Sequence, residues 1–312
     1  MAPALLLVSD WDETITCCDT LRLVAPSHEE LCKGTRPFQH YEDEYFKDQH
    51  AFKSQYGPLD TEAQLLAYVG DVARAEQTTL DKVVEGGLFK DTKHTDRRSR
   101  AHRVEFREGW NDVLEYARRH VPPGRIHVHI VSVNWSRRFI LDALLIRDGK
   151  EPSMCLEEDL RAISFADIHA NEIEQHAEHQ RGTGRVVGPL PGAQPMLTGM
   201  DKRKVLEAIQ AQYHPCPLTL YVGDSLHDLP CLLDADVGVL IGEHPSLLSK
   251  LEMAHRTTEL LTLTQWTEAL RTSAPQCPHG IVRAQTWHDV RAVIETLVAT
   301  LDRLADLRDT PC

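Results

Sequence analysis

Two aspartates, Asp10 and Asp12, stand in the run Asp10-Trp11-Asp12-Glu13-Thr14, directly after a short apolar stretch. A carboxylate can attack phosphorus and form an aspartyl phosphate. The alcohol that leaves then needs a proton, and the water that later hydrolyses the intermediate needs a base. A second carboxylate two residues on serves both ends of that cycle. Taken alone, the pair also reads as a turn or a helix cap. Further groups of matching chemistry lie downstream. Gly223-Asp224-Ser225-Leu226-His227-Asp228 follows another apolar stretch. Asp224 and Asp228 share a face if a helical turn begins there, and beside Asp10 they suit a hard divalent ion such as Mg²⁺. Such an ion offsets the repulsion between an anionic nucleophile and an anionic phosphate. His227, between them, reads as a helix-face residue. Ser132, in Val131-Ser132-Val133-Asn134, offers a hydroxyl to a phosphate oxygen. Lys202, in Thr198-Gly199-Met200-Asp201-Lys202, can place a positive charge on the phosphoryl group and order the nucleophile. Lys204 competes with it for that role.

These groups need elements that bring them together. Residues 4–9, 126–132, 218–222 and 237–241 are short apolar, β-branched stretches, each ending at a polar residue or glycine and separated by helical patterns. That is the signature of parallel strands with crossover helices. The fold expected is α/β: a doubly wound parallel-sheet, Rossmann-like core whose carboxyl edge presents Asp10, Ser132 and Asp224. More than 100 residues separate the first two strands, with helical segments expected at 38–56, 61–84 and 97–119. One crossover helix cannot account for that length, so a helical cap domain is expected over residues 17–120, with residues 1–16 and 121–312 forming the core. A second insertion, between Trp135 and Gly199, opens with a helix at 137–146 and continues with a strand at 163–169. It ends in a Gly/Pro-rich loop at 182–199. Helices are expected after Gly242, the last at 287–307.

The chain has 312 residues and a net charge of −13, from 34 basic and 47 acidic side chains. An acidic surface argues against nucleic-acid binding, which needs clustered Lys and Arg. A small phosphorylated metabolite remains compatible with it, because a metal supplies local positive charge. No apolar run approaches the ~20 residues of a membrane span, and the apolar start lacks the basic flank of a signal peptide. The cysteines, numbering 8, form no CxxC pair. They are expected to be reduced packing thiols of a cytoplasmic protein. Oligomeric state is not legible.

The ordered set of Asp-x-Asp, Ser, Lys and Gly-Asp-Ser-x-x-Asp resembles the haloacid dehalogenase-like hydrolase superfamily over roughly residues 4–242. The resemblance implies a Mg²⁺-dependent phosphatase with Asp10 as nucleophile, Asp12 as acid/base, and Ser132 and Lys202 on the phosphoryl group. Thr14 and Asn134, within the first motif and beside the second, are expected to contact substrate. The metal would be held by Asp10, Asp224 and Asp228, with Asp12 contributing its backbone carbonyl. A carboxylate at Asp12 is similar to the phosphatase and phosphomutase branches and not to the dehalogenases. The insertion after the first motif resembles the cap of phosphoserine-phosphatase-like enzymes. The stretch Tyr221 to Gly242, with Val131 to Ser136 and Ala170-Asn171-Glu172, is similar to the phosphatase domain of plant-type thiamine monophosphate phosphatases. The second thiamine-related domain of those enzymes has no room in this chain, and fungal single-domain relatives fit its length. Asp10-Trp11-Asp12-Glu13-Thr14-Ile15 also looks like the phosphocholine/phosphoethanolamine phosphatases. Thiamine monophosphate is thus one expected substrate. Nucleotides, phosphoserine and phospho-amino-alcohols are the alternatives, and a non-enzymatic protein with the same fold is a further one. Tyr41, Tyr45, Phe46 and Tyr56 are candidates to meet a heteroaromatic or cationic group, or else form the cap's own core. Glu42, Asp43 and Glu44 would attract a cation or simply face solvent.

Overall fold

The computed structural model describes residues 5–119, 125–149, 163–189, 192–243, 245–253, 260–272 and 280–309. The strands are β1 (Leu5–Ser9), β2 (Lys90–Lys93), β3 (Ile126–Ser132), β4 (Ile168–Ala170), β5 (Glu172–Gln175), β6 (Arg181–Val187), β7 (Leu218–Gly223), β8 (Val237–Ile241), β9 (Leu260–Thr262) and β10 (Ile281–Ala284). Seven of them form one sheet in the order β4-β3-β1-β7-β8-β10-β9, and every pairing in it is parallel. The expected α/β doubly wound core is therefore present. It has more strands than the four apolar stretches suggest. β4, β9 and β10 are three or four residues long, too short to carry a periodic signal of their own.

β1 is buried along its whole length, as a parallel strand covered on both faces must be. Its alternate residues enter two separate cores. Leu5 and Leu7 join the cluster built around Trp11, Phe139 and Trp287, while Leu6 and Val8 join the one around Leu206, Tyr221 and Leu232. This is the pleat at work, since neighbouring side chains point to opposite faces. Register then fixes the site. Ser9 pairs with Ile130 on one side and Val222 on the other, so Asp10, Ser132 and Asp224 emerge together at the carboxyl edge. The chain runs outward from β1 to β3 and β4, then returns to β7 on β1's other side. That reversal opens a crevice where such sheets bind ligands.

The first insertion is helical over Phe38–Gln55, Glu62–Asp71 and Ala73–Glu85, close to expectation. The remainder of residues 17–120 departs from a helical cap. β2 pairs with β6, and β6 with β5, in a three-stranded antiparallel sheet. The two insertions are thus joined. Helix Trp110–Arg119 belongs to the main core, with Trp110 against Trp287 at a centroid separation of 4.6 Å. The expected loop at 182–199 is partly strand, because β6 occupies Arg181–Val187. Its glycines fit there because they let strands approach: a Cβ on Gly182 would lie 2.1 Å from the Phe89 carbonyl oxygen. The strand expected at 163–169 is a 3₁₀ turn, Phe165–Asp167, followed by β4. The helix that begins at Trp287 runs to Asp309. The boundary expected at 120–121 lies outside the described residues.

Among the described cysteines, Cys231 is buried, whereas Cys17, Cys18 and Cys216 are exposed. Packing therefore explains the first and not the others. Among the described residues no helix is long and apolar enough to cross a membrane.

Candidate active site

The turn that follows β1 is tight. Glu13 adopts a left-handed φ of 55°, and the turn is tied down by the Trp287 indole N–H, which donates to the Thr14 carbonyl at 2.8 Å. Asp10 is held by its own neighbour, the Trp11 N–H donating to Oδ1 at 2.7 Å. Its other oxygen meets Lys202 Nζ at 2.8 Å.

Lys202 arrives on the helix Gly199–Gln210, whose start is fixed by a reciprocal cap between Thr198 and Asp201. The helix can approach because residue 199 is glycine: a Cβ there would sit 2.1 Å from the His227 carbonyl oxygen. Lys202 is 1 % exposed and bridges Asp10 and Asp228, the latter at 2.9 Å. Lys204 lies on the outer side of the same helix and pairs with Asp201 at 3.0 Å. Of the two lysines the structure brings Lys202 to Asp10.

Asp228 is tucked over Gly223, where a Cβ would lie 2.4 Å from its own. Its Oδ1 takes Lys202 and the Tyr221 hydroxyl, at 2.9 Å each. Its Oδ2 takes the Asp224 and Ser225 backbone N–H groups and the Ser225 hydroxyl. The expected helical turn at this motif is a 3₁₀ turn, Leu226–Asp228. Burial opposes the charge on Asp228, yet Lys202 and these donors hold its carboxyl below the usual range. Burial likewise works against Lys202, and Asp10 and Asp228 outweigh it, keeping the ammonium protonated. Asp10 is raised well above the ordinary value, by burial first and by Asp228 next. Asp224 is pushed up to about 7 by burial and by the Asp228 charge.

Oxygens of Asp10, Asp224 and Asp228 lie within 4.8 Å of one another, all on buried residues. Three buried carboxylates with one buried ammonium among them, Asp10 and Asp224 raised and Asp228 lowered, fit a hard divalent cation. Asp228 already accepts from five donors, whereas Asp10 accepts from the Trp11 N–H and Lys202, so Asp10 and Asp224 are the less committed ligands. The Asp12 carboxylate lies outside that group. Its Oδ1 accepts from the Thr20 N–H and hydroxyl at 2.7 and 2.6 Å, and its Oδ2 from the Asn134 amide at 2.9 Å. The Asp12 side chain is thus committed to Thr20 and Asn134 and is not in the group of metal-ligating side chains expected from the sequence. Burial raises the Asp12 carboxyl, with the Thr20 and Asn134 bonds opposing the shift.

Two assignments change. Asn134 and Thr14 are fully buried and are not among the residues lining the cavity. Asn134 braces Asp12 and Thr20. The Thr14 hydroxyl donates to Asp224 at 2.9 Å. Each positions a carboxylate instead of touching substrate. Ser132 sits at the end of β3, its Oγ accepting from the Asn134 N–H at 3.1 Å. Thr20 had no signal in the sequence, although it ties together Trp11, Asp12 and Asn134.

Above Asp10 lies a cavity of about 310 Å³, with Asp10, Asp12, Asp224 and Lys202 in its lining. Helices Phe38–Gln55 and Ala73–Glu85 supply Tyr41, Tyr45, Phe46 and Glu76 to its walls, and Asp19 and Trp135 complete them. Tyr56 is elsewhere, packed on Phe52 and Tyr68. Of the acidic run, Glu42 reaches the cavity, Asp43 is exposed, and Glu44 pairs with Lys47 and Lys82. His227 lines the cavity, and burial together with Lys202 lowers its imidazole to about 4.

No family model matches the chain. A CTO1 family protein of Schizosaccharomyces pombe is 23% identical over 241 residues, covering 76% of this chain and 81% of that protein. The bifunctional TH2 protein, mitochondrial, of Arabidopsis thaliana is 24% identical over 176 residues, 55% of this chain and 25% of the longer protein. Among solved structures, a phosphoserine phosphatase in a phospho-aspartyl intermediate analogue aligns with a TM-score of 0.46 and 16% identity, over 95% of this chain and 99% of that one.

Proposed function

We propose that this chain is a Mg²⁺-dependent phosphatase acting on a small phosphate monoester through an aspartyl-phosphate intermediate. The observation that carries this reading is the buried Lys202, held between Asp10 and Asp228 at the floor of the cavity. A buried lysine stationed on a carboxylate at a sheet's carboxyl edge is costly to build, and it suits a nucleophile that must face a phosphate dianion.

Asp10 attacks phosphorus, the bond to the alcohol oxygen breaks, and Asp12 gives that oxygen a proton. Water then attacks the aspartyl phosphate, Asp12 takes its proton, and the phosphorus–Asp10 bond breaks to release phosphate. Burial favours a protonated Asp12 for the first half, while the Thr20 and Asn134 hydrogen bonds steady the carboxylate needed in the second. Lys202 orders the Asp10 carboxylate, and the Ser132 hydroxyl, buried at the end of β3 and not in the cavity lining, is assigned to a phosphoryl oxygen on the motif likeness alone. A Mg²⁺ ion held by Asp10 and Asp224 would withdraw charge from the phosphoryl oxygens.

Helices Phe38–Gln55 and Ala73–Glu85 are read as a cap that encloses a small substrate and excludes water and macromolecules. Thiamine monophosphate is the first named substrate to assay, on the likeness of Tyr221 to Gly242 to the plant-type thiamine monophosphate phosphatases.

The test is release of phosphate from p-nitrophenyl phosphate with Mg²⁺ and with EDTA. Activity is expected with the metal alone, and Asp10→Asn should lower it by at least about 10³-fold. Full activity in Asp10→Asn, or hydrolysis indifferent to EDTA, overturns the mechanism.

A further inference from the structure

We propose that Thr20 is a positioning residue for the acid/base group: its hydroxyl, together with the Asn134 amide, confines the transferable proton of Asp12 to Oδ2 and so sets how well the leaving alcohol is protonated. This rests on the phosphatase reading and deepens it.

The direction of each hydrogen bond around Asp12 follows from side-chain chemistry. Asn134 Oδ1 accepts from the Ser136 N–H at 3.1 Å, which turns the amide nitrogen the other way. Both hydrogens of Nδ2 are then used, one on Asp12 Oδ2 at 2.9 Å and one on Thr20 Oγ1 at 3.0 Å. The Trp11 indole N–H can only donate, and it also meets Thr20 Oγ1, at 3.1 Å. These two donors occupy the lone pairs of the Thr20 oxygen. Its own hydrogen is therefore directed to Asp12 Oδ1, at 2.6 Å. The Thr20 backbone N–H reaches the same Oδ1 at 2.7 Å. Trp11, Thr20 and Asn134 are all buried, so breaking any of these bonds leaves a polar group unmatched. A further observation agrees. Thr20 stands at the N-cap of the helix Leu21–Val24, where a threonine oxygen ordinarily accepts from the first-turn amides. It makes no such bond; its hydroxyl serves Asp12 instead.

A carboxylate offers about four lone-pair sites, two on each oxygen. On Asp12 Oδ1 both are filled by Thr20. A proton placed there would face the Thr20 hydroxyl hydrogen and N–H, so Oδ1 remains an acceptor through both halves of the cycle. On Oδ2 the Asn134 amide fills one site. The other site of Oδ2 belongs to a side chain that lines the cavity. It carries the proton to the alcohol oxygen as the phosphorus–oxygen bond breaks, and later takes a proton from the attacking water. Turning the carboxyl over would present that proton to the Thr20 donors. Without the Thr20 hydroxyl, the acid proton has two oxygens to choose between and the carboxyl loses its fixed plane. An acid held off its line of transfer protects a poor leaving group least.

The test compares phenyl phosphate with p-nitrophenyl phosphate, which are alike in shape and differ in leaving group. p-Nitrophenolate departs without a proton, whereas phenolate, of pKa about 10, needs one. Each is read as kcat/KM, which ends at the aspartyl phosphate and leaves out the water step. Thr20→Val keeps the shape and removes the hydroxyl. It should lower kcat/KM for phenyl phosphate by about 10²-fold and for p-nitrophenyl phosphate by less than about 5-fold. Thr20→Ser, which keeps the hydroxyl, should hold the ratio of the two esters within about twofold of wild-type. Both esters are measured on one preparation, so an inactive fraction cancels in the ratio, and a merely structural loss lowers the two alike. Where Thr20→Val does not fold, Thr20→Ala removes the same hydroxyl and is judged by the same ratio. Equal losses on the two esters, no loss on either, or a Thr20→Ser ratio as altered as that of Thr20→Val overturns the proposal and leaves the phosphatase reading in place. Wild-type turnover of p-nitrophenyl phosphate without phenyl phosphate overturns it too, since Asp12 then protonates nothing. Hydrolysis of neither ester by the wild-type protein overturns the phosphatase reading, and this inference with it.

Discussion

At the scale of residues, the site is a set of carboxylates made unequal by their neighbours. Asp228 has five donors on its two oxygens and stays ionised. Asp10 shares Lys202 with it and is raised. Asp12 is raised by burial and steadied by Thr20 and Asn134. Environments that push similar groups apart are how one site holds a nucleophile, an acid and an anchor. Lys202 carries most of this division. Lys202→Met should lower p-nitrophenyl phosphate turnover by about 10²-fold or more and cost stability of about 3–5 kcal/mol, because Asp228 is left buried without its cation. Lys204→Met, at a side chain 73% exposed, should change each within about twofold and about 0.5 kcal/mol. Parallel kinetics and thermal melts on the two variants decide the matter. Equal effects would remove Lys202 from the mechanism.

At the scale of elements, the site is assembled by close backbone approach. Gly199 seats the helix Gly199–Gln210 on the His227 carbonyl, and Gly223 receives Asp228. In a free helix, glycine to alanine is favourable by about 1 kcal/mol. Here the added methyl would lie 2.1 Å from a backbone oxygen, so the helix must shift and carry Lys202 away from Asp10. Gly199→Ala is therefore expected to lower turnover by about 10²-fold and to lower Tm despite its better helix propensity. An unchanged melt and unchanged turnover would mean that the contact is looser than drawn. The joining of β2 to β6 works at the same scale, since it ties the segment that follows helix Ala73–Glu85 to the second insertion.

At the scale of the whole molecule, a chain of net charge −13 places some of its acidic groups in the lining of one cavity. Glu76 shows the consequence. Its carboxyl titrates near 7 in the folded protein against an ordinary 4.5. The folded state thus holds a proton that the unfolded chain gives up sooner. The stability this supplies is complete below about 4.5 and is lost as pH rises through about 7. Glu76→Gln, which cannot ionise, should melt with wild-type at pH 4 and above it at pH 8. The span from 4.5 to about 7 corresponds to about 3 kcal/mol, so a difference of roughly 5 °C or more is expected in a chain of this size. Melting curves at the two pH values check this; a variant less stable than wild-type at pH 8 would contradict the raised carboxyl.

What the sequence determined by itself was the local part of this protein. Asp10 and Asp12 follow β1, Ser132 ends β3, and Asp224 follows β7, because long apolar strands with polar ends are legible one strand at a time. The helices at Phe38–Gln55, Arg137–Arg147 and from Trp287 were legible for the same reason. Tertiary structure decided the rest. β9 and β10 exist because they complete a sheet, without a pattern of their own. Thr14 and Asn134 turned from substrate contacts into braces because the pleat and the turn aim them behind the wall. Lys202 was separated from Lys204 by helix phase, which places residues two apart on different faces. Asp10 and Glu76 line one cavity through packing between distant segments. Asp10 lies in a motif, whereas the cavity wall around it exists only once the chain has closed.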